Sequence, residues 1–279
     1  MSNFLTRTLS GAVYVGLVVA SILVHPVFFF VLFLLFSIYA VWEFHTLMHS
    51  PLIIRVLSAL MGGALFYLAW LTFNGYDATV VLTMLFIGVL LLIFTLISVL
   101  FIRPTEEKPV NAVQIWGNIL GSLIMIALPF AMMNMLMYHT DSHFLLLALF
   151  ITIWVNDSGA YCVGSLTAKR PNGNHKMFPR VSPAKSWEGL FGGILFSLLA
   201  GVCFWKAGWI DGCGAALGYT LVISAFGTLG DLMESLMKRT IGVKDSGRFL
   251  PGHGGILDRF DSVLLAVPSA TLYMLLFLI

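Results

Sequence analysis

The sequence is short of charge. Of its 279 residues, 10% are Asp, Glu, Lys or Arg and 59% are hydrophobic, whereas a soluble domain carries about 25% charged residues. A chain this apolar cannot keep a wetted surface, which excludes an ordinary soluble globular enzyme and makes lipid its solvent. Cysteine is scarce as well. Cys162, Cys203 and Cys213 have neither paired nor metal-ligand spacing, which argues against a disulfide framework or a zinc site and leaves packing roles. There is no soluble domain, no internal repeat and no call for a nucleic-acid partner. The apolar run after Arg7 lacks the small-x-small cleavage site of a secretory signal and ends at Val24-His25-Pro26, so a retained first helix is expected. The net charge of +2 decides nothing; the placement of the charges does.

What is present is a series of continuous apolar runs. A transmembrane helix needs about 20 such residues, and continuous rather than alternating runs favour helices over a barrel. The expected fold is all-α and polytopic. About nine spans lie near 9–24, 27–47, 53–73, 78–102, 113–138, 143–165, 189–209, 214–237 and 256–278, at the length expected of a membrane crossing. Turn chemistry separates them at His25-Pro26, Ser50-Pro51, Asn74-Gly75, Arg103-Pro104 and Asp141-Ser142.

The positive-inside rule tests this count. With a cytoplasmic N-terminus and the C-terminus on the outer side, all Lys and Arg residues except Lys206 fall on the inner face. Asp77, Asp141 and Asp211 then mark the outer turns. Residues 1–138 are expected to pack, dimerise or shape a lipid cavity. Residues 139–279 are expected to form the catalytic region, with cytoplasmic loops at 166–188 and 238–255.

Charged side chains inside a membrane are expensive and usually functional. In the eighth span Asp231, Glu234, Ser235 and Lys238 share one helical face. The ninth opens with Asp258-Arg259-Phe260-Asp261, whose two carboxylates are also expected on one face. Hard oxygen donors of this kind suit Mg²⁺, which takes one or two carboxylates plus substrate phosphates. Between these helix ends runs a polar hairpin, Lys244 to Gly255. Its glycines would let backbone N–H groups approach a phosphate, beside the N-terminal end of the next helix. Lys238, Arg239, Lys244, Arg248 and Arg259 surround it. Carboxylates for a metal beside cations for phosphate make up the composition of a phosphoryl or nucleotidyl transfer site.

Each feature has a blander reading. Juxtamembrane Lys and Arg often only set topology. Lys238 could pair Asp231 and Glu234 structurally, and Gly254-Gly255 could be a plain turn. Glu43 and His45 read as interfacial, and Met132, Met133, Met135 and Met137 as packing.

The segment Ser235-Leu-Met-Lys238-Arg239, then Lys244-Asp245, then Pro251-Gly-His253-Gly254-Gly255-Ile-Leu-Asp258-Arg259-Phe-Asp261 resembles the signature of the phosphatidate cytidylyltransferases, or CDP-diacylglycerol synthases, with no departure at its defining positions. Upstream, Asn156-Asp157-Ser158-Gly159-Ala160-Tyr161 through Gly164, and Ser182-Pro183-Ala184-Lys185-Ser186-Trp187-Glu188-Gly189, also look like segments of that family. The resemblance covers roughly residues 150–265. Ser186 is placed to cap the helix that follows. Asp157, deep in an apolar span, needs a partner or a role.

The resemblance implies a nucleotidyltransferase acting on CTP and phosphatidate in phospholipid biosynthesis, giving CDP-diacylglycerol and pyrophosphate. It implies Mg²⁺, a second monovalent cation such as K⁺, and a homodimer in a bacterial inner membrane with the site facing the cytoplasm. Asp231 and Asp258 are the leading metal ligands, with Glu234, Asp261 and Asp157 in support. Asp231, Asp258, Lys238 and Arg259 are the expected catalytic set. Ser182, Lys185, Arg239, Lys244, His253, Gly254 and Gly255, with Lys238 and Arg259, are expected to hold the phosphates of CTP and phosphatidate. Two alternatives stay open: a CTP-dependent kinase of a polyprenol or phytol, and an ion-coupled transporter built on buried acids.

Overall fold

The structure, a computed structural model, describes residues 3–102, 111–138, 143–171, 173–247, 249 and 254–278. Among these, eight helices are long and apolar enough to cross a membrane, and a shorter apolar helix precedes them at Thr8–Leu23. The protein is therefore an all-α polytopic membrane protein, as its composition demands. Arg103, Lys108, Asp141, Arg248, Pro251, Gly252 and His253 lie outside the described residues. The chain divides into two compact units, one of Met1–His139 with Asp245–Arg259, the other of Thr140–Lys244 with Phe260–Ile279.

The first unit holds α1 (Asn3–Leu23), α2 (Pro26–Leu47), α3 (Leu52–Phe73), α4 (Ala78–Ser98), α5 (Ala112–Ser122) and α6 (Leu128–Tyr138). Its helix starts follow local chemistry. Pro26 sits in the first turn of α2, where its missing N–H costs nothing, and His25 Nδ1 accepts from Val27 N at 3.1 Å. Asp77 caps α4 by accepting from Thr79 N at 2.8 Å; the hydrogen bonds from Thr79 hold its carboxyl below the usual range. Between α5 and α6 the helix widens into a π turn at Leu123–Ala127, just ahead of Pro129, whose ring and missing N–H displace the backbone one turn earlier. Phe29, Phe33 and Phe66 form a fully buried centre. On α4, by contrast, Leu82, Phe86 and Phe94 remain exposed, as suits a helix facing lipid.

The second unit holds α7 (Phe144–Ala168), a two-stranded antiparallel hairpin of β1 (Lys176–Phe178) and β2 (Ser182–Ser186), α8 (Trp187–Lys206), α9 (Cys213–Thr240) and α11 (Val263–Phe277). Lipid tails are as apolar as Leu, so helices here associate by close packing rather than by a hydrophobic drive. Small residues make that approach possible. A Cβ at Gly192 would stand 2.5 Å from Val163, and one at Gly193 would stand 2.6 Å from Asn156 Oδ1. The α7–α8 seam is thus built for glycine. Tyr219, wholly buried on α9, satisfies its hydroxyl by donating to Leu145 O at 3.0 Å.

The ninth span departs from the continuous helix expected at 256–278. A four-residue helix, α10 (Leu257–Phe260), ends before α11 begins at Val263. Asp261 Oδ1 accepts the next residue's N–H, from Ser262, at 2.6 Å. Local side-chain acceptance of this kind competes with helical hydrogen bonding. Asp258 lies in α10, and Asp261 lies in the turn that follows it. The loop expected at 166–188 is also shorter than read, because α7 runs to Ala168 and α8 begins at Trp187. Pro183 biases Ser182 toward extended backbone, consistent with its place in β2.

Candidate active site

The second unit encloses a cavity of about 410 Å³. α7 supplies Asn156, Asp157 and Tyr161 to its wall, β1 supplies Lys176, β2 supplies Lys185, and α9 supplies Thr228 and Asp231. The start of α8 adds Gly189 and Leu190, so five elements line the cavity.

Lys185 and Asp231 are its charged centre. Lys185 Nζ lies 2.7 Å from Asp231 Oδ2, both side chains about three-quarters buried, and it also donates to Thr228 O at 3.4 Å. Asp231 Oδ1 accepts from Ser235 Oγ at 3.1 Å, one helical turn on. The helical face read from the sequence is therefore real, with its pairing divided between two lysines. Lys238 takes Glu234 at 2.6 Å, while Lys185, not Lys238, takes Asp231.

Lys185 is aimed by the segment that holds it. Lys176 registers against Ser186, and Phe178 against Ser182. Ser186 Oγ then accepts from Gly189 N at 3.2 Å, capping α8 as its position predicts. Glu188, in the first turn of α8, suits the positive end of the helix dipole. It pairs with His175 Nδ1 at 2.6 Å and also accepts from His175 N. Strand, cap and ion pair together fix the stem from which Lys185 reaches Asp231.

Asp261 feels the charges of Asp231, Glu234 and Asp157. Four acids thus share one electrostatic neighbourhood. Among the described residues, however, no three His, Cys, Asp or Glu side chains stand close enough to form a ready-made metal cage. Their chemistry still fits a hard divalent cation, because Mg²⁺ binds through one or two carboxylates and completes its shell with water and phosphate. Asn156, in the same wall, has its Oδ1 buried with no hydrogen-bond partner among the described residues.

In the first unit, Asp258 is held by the glycine-rich turn. Its Oδ2 accepts from Ser246 N and from Gly255 N, each at 2.8 Å. Ile256 N donates to Glu43 Oε2 at 2.9 Å. The hairpin backbone donors expected to meet phosphate thus include two, at Ser246 and Gly255, that are engaged by the chain's own Asp258. Arg259 O accepts from Tyr14 OH at 3.3 Å, and Arg259 Nε is buried with no hydrogen-bond partner among the described residues.

The remaining candidates stand outside these centres. Lys238 is buried against Glu234. Arg239 closes the end of α9 by donating from Nη1 to Val243 O at 2.9 Å. Lys244 is exposed, and Ser182 is half-buried in β2. Glu43 and His45 correct the sequence reading. They are 4% and 0% exposed, so they are buried among protein groups, a burial the sequence reading did not include. His45 bridges Ser50 Oγ and Ser122 Oγ, each at 3.0 Å. The signal for Glu43 was available, since a lone acid within an apolar span is a functional candidate by default.

A family model described as the cytidylyltransferase family matches residues 5–277. The chain belongs to the cytidylyltransferase family. The match takes in the N-terminal helices, well beyond the 150–265 stretch that carries the sequence resemblance. A phosphatidate cytidylyltransferase of Staphylococcus aureus (strain COL) is 44% identical over 150 residues, covering 50% of this chain and 54% of the relative. One of Staphylococcus epidermidis (strain ATCC 12228) is 45% identical over 146 residues with the same coverage. One of Staphylococcus saprophyticus is 44% identical over 150 residues, again over 50% and 54%. The chain spans about half the length of the curated relatives it matches.

Proposed function

We propose that this protein transfers the cytidylyl group of CTP to phosphatidate, giving CDP-diacylglycerol and pyrophosphate. A non-bridging oxygen of the lipid phosphate forms a new bond to the α-phosphorus of CTP. The bond from that phosphorus to the β-phosphate oxygen breaks, and pyrophosphate leaves with the electron pair. A phosphate monoester is largely ionised at neutral pH, so the attack needs no strong base. The difficulty is that two anions must meet, and positioning with charge neutralisation is the remedy.

The observation that carries this reading is the Lys185–Asp231 pair in the wall of the cavity. Lys185 offers an ammonium that can exchange a carboxylate for phosphate. Asp231, with Glu234 and Asp157 acting like it on Asp261, would hold Mg²⁺, which when bound supplies charge neutralisation at phosphate oxygens. Asp258, Arg239, Lys244, His253 and Arg259 enter the proposal through the signature. A monovalent cation beside Mg²⁺, a homodimeric assembly and a cytoplasm-facing site belong to it on the strength of the resemblance and the distribution of Lys and Arg.

The test is isotopic. Purified protein in lipid nanodiscs receives phosphatidate, Mg²⁺ and CTP labelled at either the α- or the γ-phosphate. The proposal requires the α-label in the lipid product and the γ-label in pyrophosphate. A γ-label in the lipid with release of CDP would make the protein a lipid kinase instead.

A further inference from the structure

The N-terminal helices carry a carboxylate that no step above uses. Glu43 on α2 is 4% exposed. Its Oε1 accepts the hydroxyl of Ser246, and its Oε2 accepts Ile256 N–H at 2.9 Å. Both donors belong to the polar segment that carries the signature, more than 200 residues further along the chain. One helical turn before Glu43, and so on the same face, the Tyr39 ring centroid lies 4.7 Å from that of Phe249. Tyr14 of α1 reaches the same segment through Arg259 O.

The glycines of the segment are shaped to this carboxylate. A Cβ at Gly247 would stand 2.8 Å from Glu43 Oε1, and one at Gly255 would collide with the Glu43 carboxylate and the Ser246 hydroxyl. Ser246 ties the two acids together. Its hydroxyl donates to Glu43 and accepts from Asp258 N at 3.3 Å, while its own N–H donates to Asp258 Oδ2. A carboxylate in the apolar interior is costly unless hydrogen bonds satisfy it. Glu43 is therefore tolerated because the segment supplies its donors, and the segment is shaped because Glu43 is there to accept them.

We propose that Glu43, supported by Tyr39, is a positioning residue that clasps the signature segment and sets the placement of Asp258 and Arg259. The role of α1 and α2 is then to hold this turn. The inference rests on the reading of that segment as part of the cytidylyltransferase machinery, but its primary test does not depend on activity.

That test compares wild-type, E43A and E43Q proteins, full length in nanodiscs, by amide hydrogen exchange and by pyrophosphate release. In E43A, exchange in peptides covering 245–259 rises about tenfold as the clasp opens, while peptides covering 176–190 and 213–240 keep wild-type protection. The kcat of E43A falls by about 10- to 100-fold, the usual effect of losing a residue that orients a catalytic group. E43Q, which retains an acceptor oxygen for Ile256 N–H, shows a smaller rise in exchange and a smaller fall in kcat. Should E43A loosen every peptide, E43Q and S246A decide: local loosening of 245–259 supports the clasp, and wild-type exchange there overturns it. Wild-type exchange of 245–259 in E43A, or full activity, also overturns it. A wild-type protein that releases no pyrophosphate would sink the cytidylyl-transfer reading while leaving the exchange result to judge the clasp.

Discussion

Two pairs of carboxylates, one in each unit, draw on different donors. In the first, the described contacts of Glu43 and Asp258 include the N–H groups of Ser246, Gly255 and Ile256, and a serine hydroxyl. In the second, Asp231 and Glu234 are held by lysine ammonium groups. Backbone donors fix a shape and cannot leave. An ammonium can move from carboxylate to phosphate when substrate arrives, freeing the carboxylate for a cation. The exchange proposed above needs a pair that substrate can reach. This separates the two lysines. The Lys185–Asp231 pair keeps about a quarter of each side chain accessible. The Lys238–Glu234 pair is sealed, at 9% and 1%.

The largest expected effect breaks the exchangeable pair. Asp231→Asn should abolish pyrophosphate release while leaving membrane insertion intact, measured by turnover and by the yield of membrane-integrated protein. Full activity would remove Asp231 from the cation site. Asp258→Asn is expected to abolish release as well, but here amide exchange should loosen at Ser246 and Gly255, whose donors lose a charged acceptor. Lys185→Ala should follow, with kcat reduced about 100- to 1,000-fold, the range for removing one preorganised donor to developing phosphate charge. A change confined to stability would place Lys185 with the structural pairs.

Lys238→Ala sharpens the contrast from the other side. Removing one partner of a buried ion pair costs about 3–5 kcal/mol, so the variant should show a lowered unfolding midpoint in detergent. Ser186→Ala has the smallest effect. Loss of the cap on α8 should cost about 1 kcal/mol, with a modest fall in activity as the stem of Lys185 loosens.

Much of this was legible in the chain. The apolar runs located the helices, because a membrane span is long and its composition leaves little choice. The spacing of Asp231, Glu234, Ser235 and Lys238 gave their common face, because helical periodicity is local. The identity of the partners was not local. Lys185 reaches Asp231 only through a β-hairpin and a capped helix start, and nothing at position 185 encodes that span of 46 residues. The same holds for Glu43, whose donors lie beyond seven intervening helices of sequence. Its isolation among apolar residues signalled a role, but not the hairpin it serves. The break at Asp261-Ser262 was hidden for a different reason. A single side chain accepting the next N–H outweighs an otherwise helical pattern.

The measurement that tests this account most directly is pyrophosphate release by the purified protein with CTP and phosphatidate across a titration of Mg²⁺, for wild type and Asp231→Asn side by side. The account predicts release by the wild type that disappears on chelation and returns with Mg²⁺, and none from the variant at any Mg²⁺ concentration. Release by Asp231→Asn with the wild-type dependence on Mg²⁺ would contradict it.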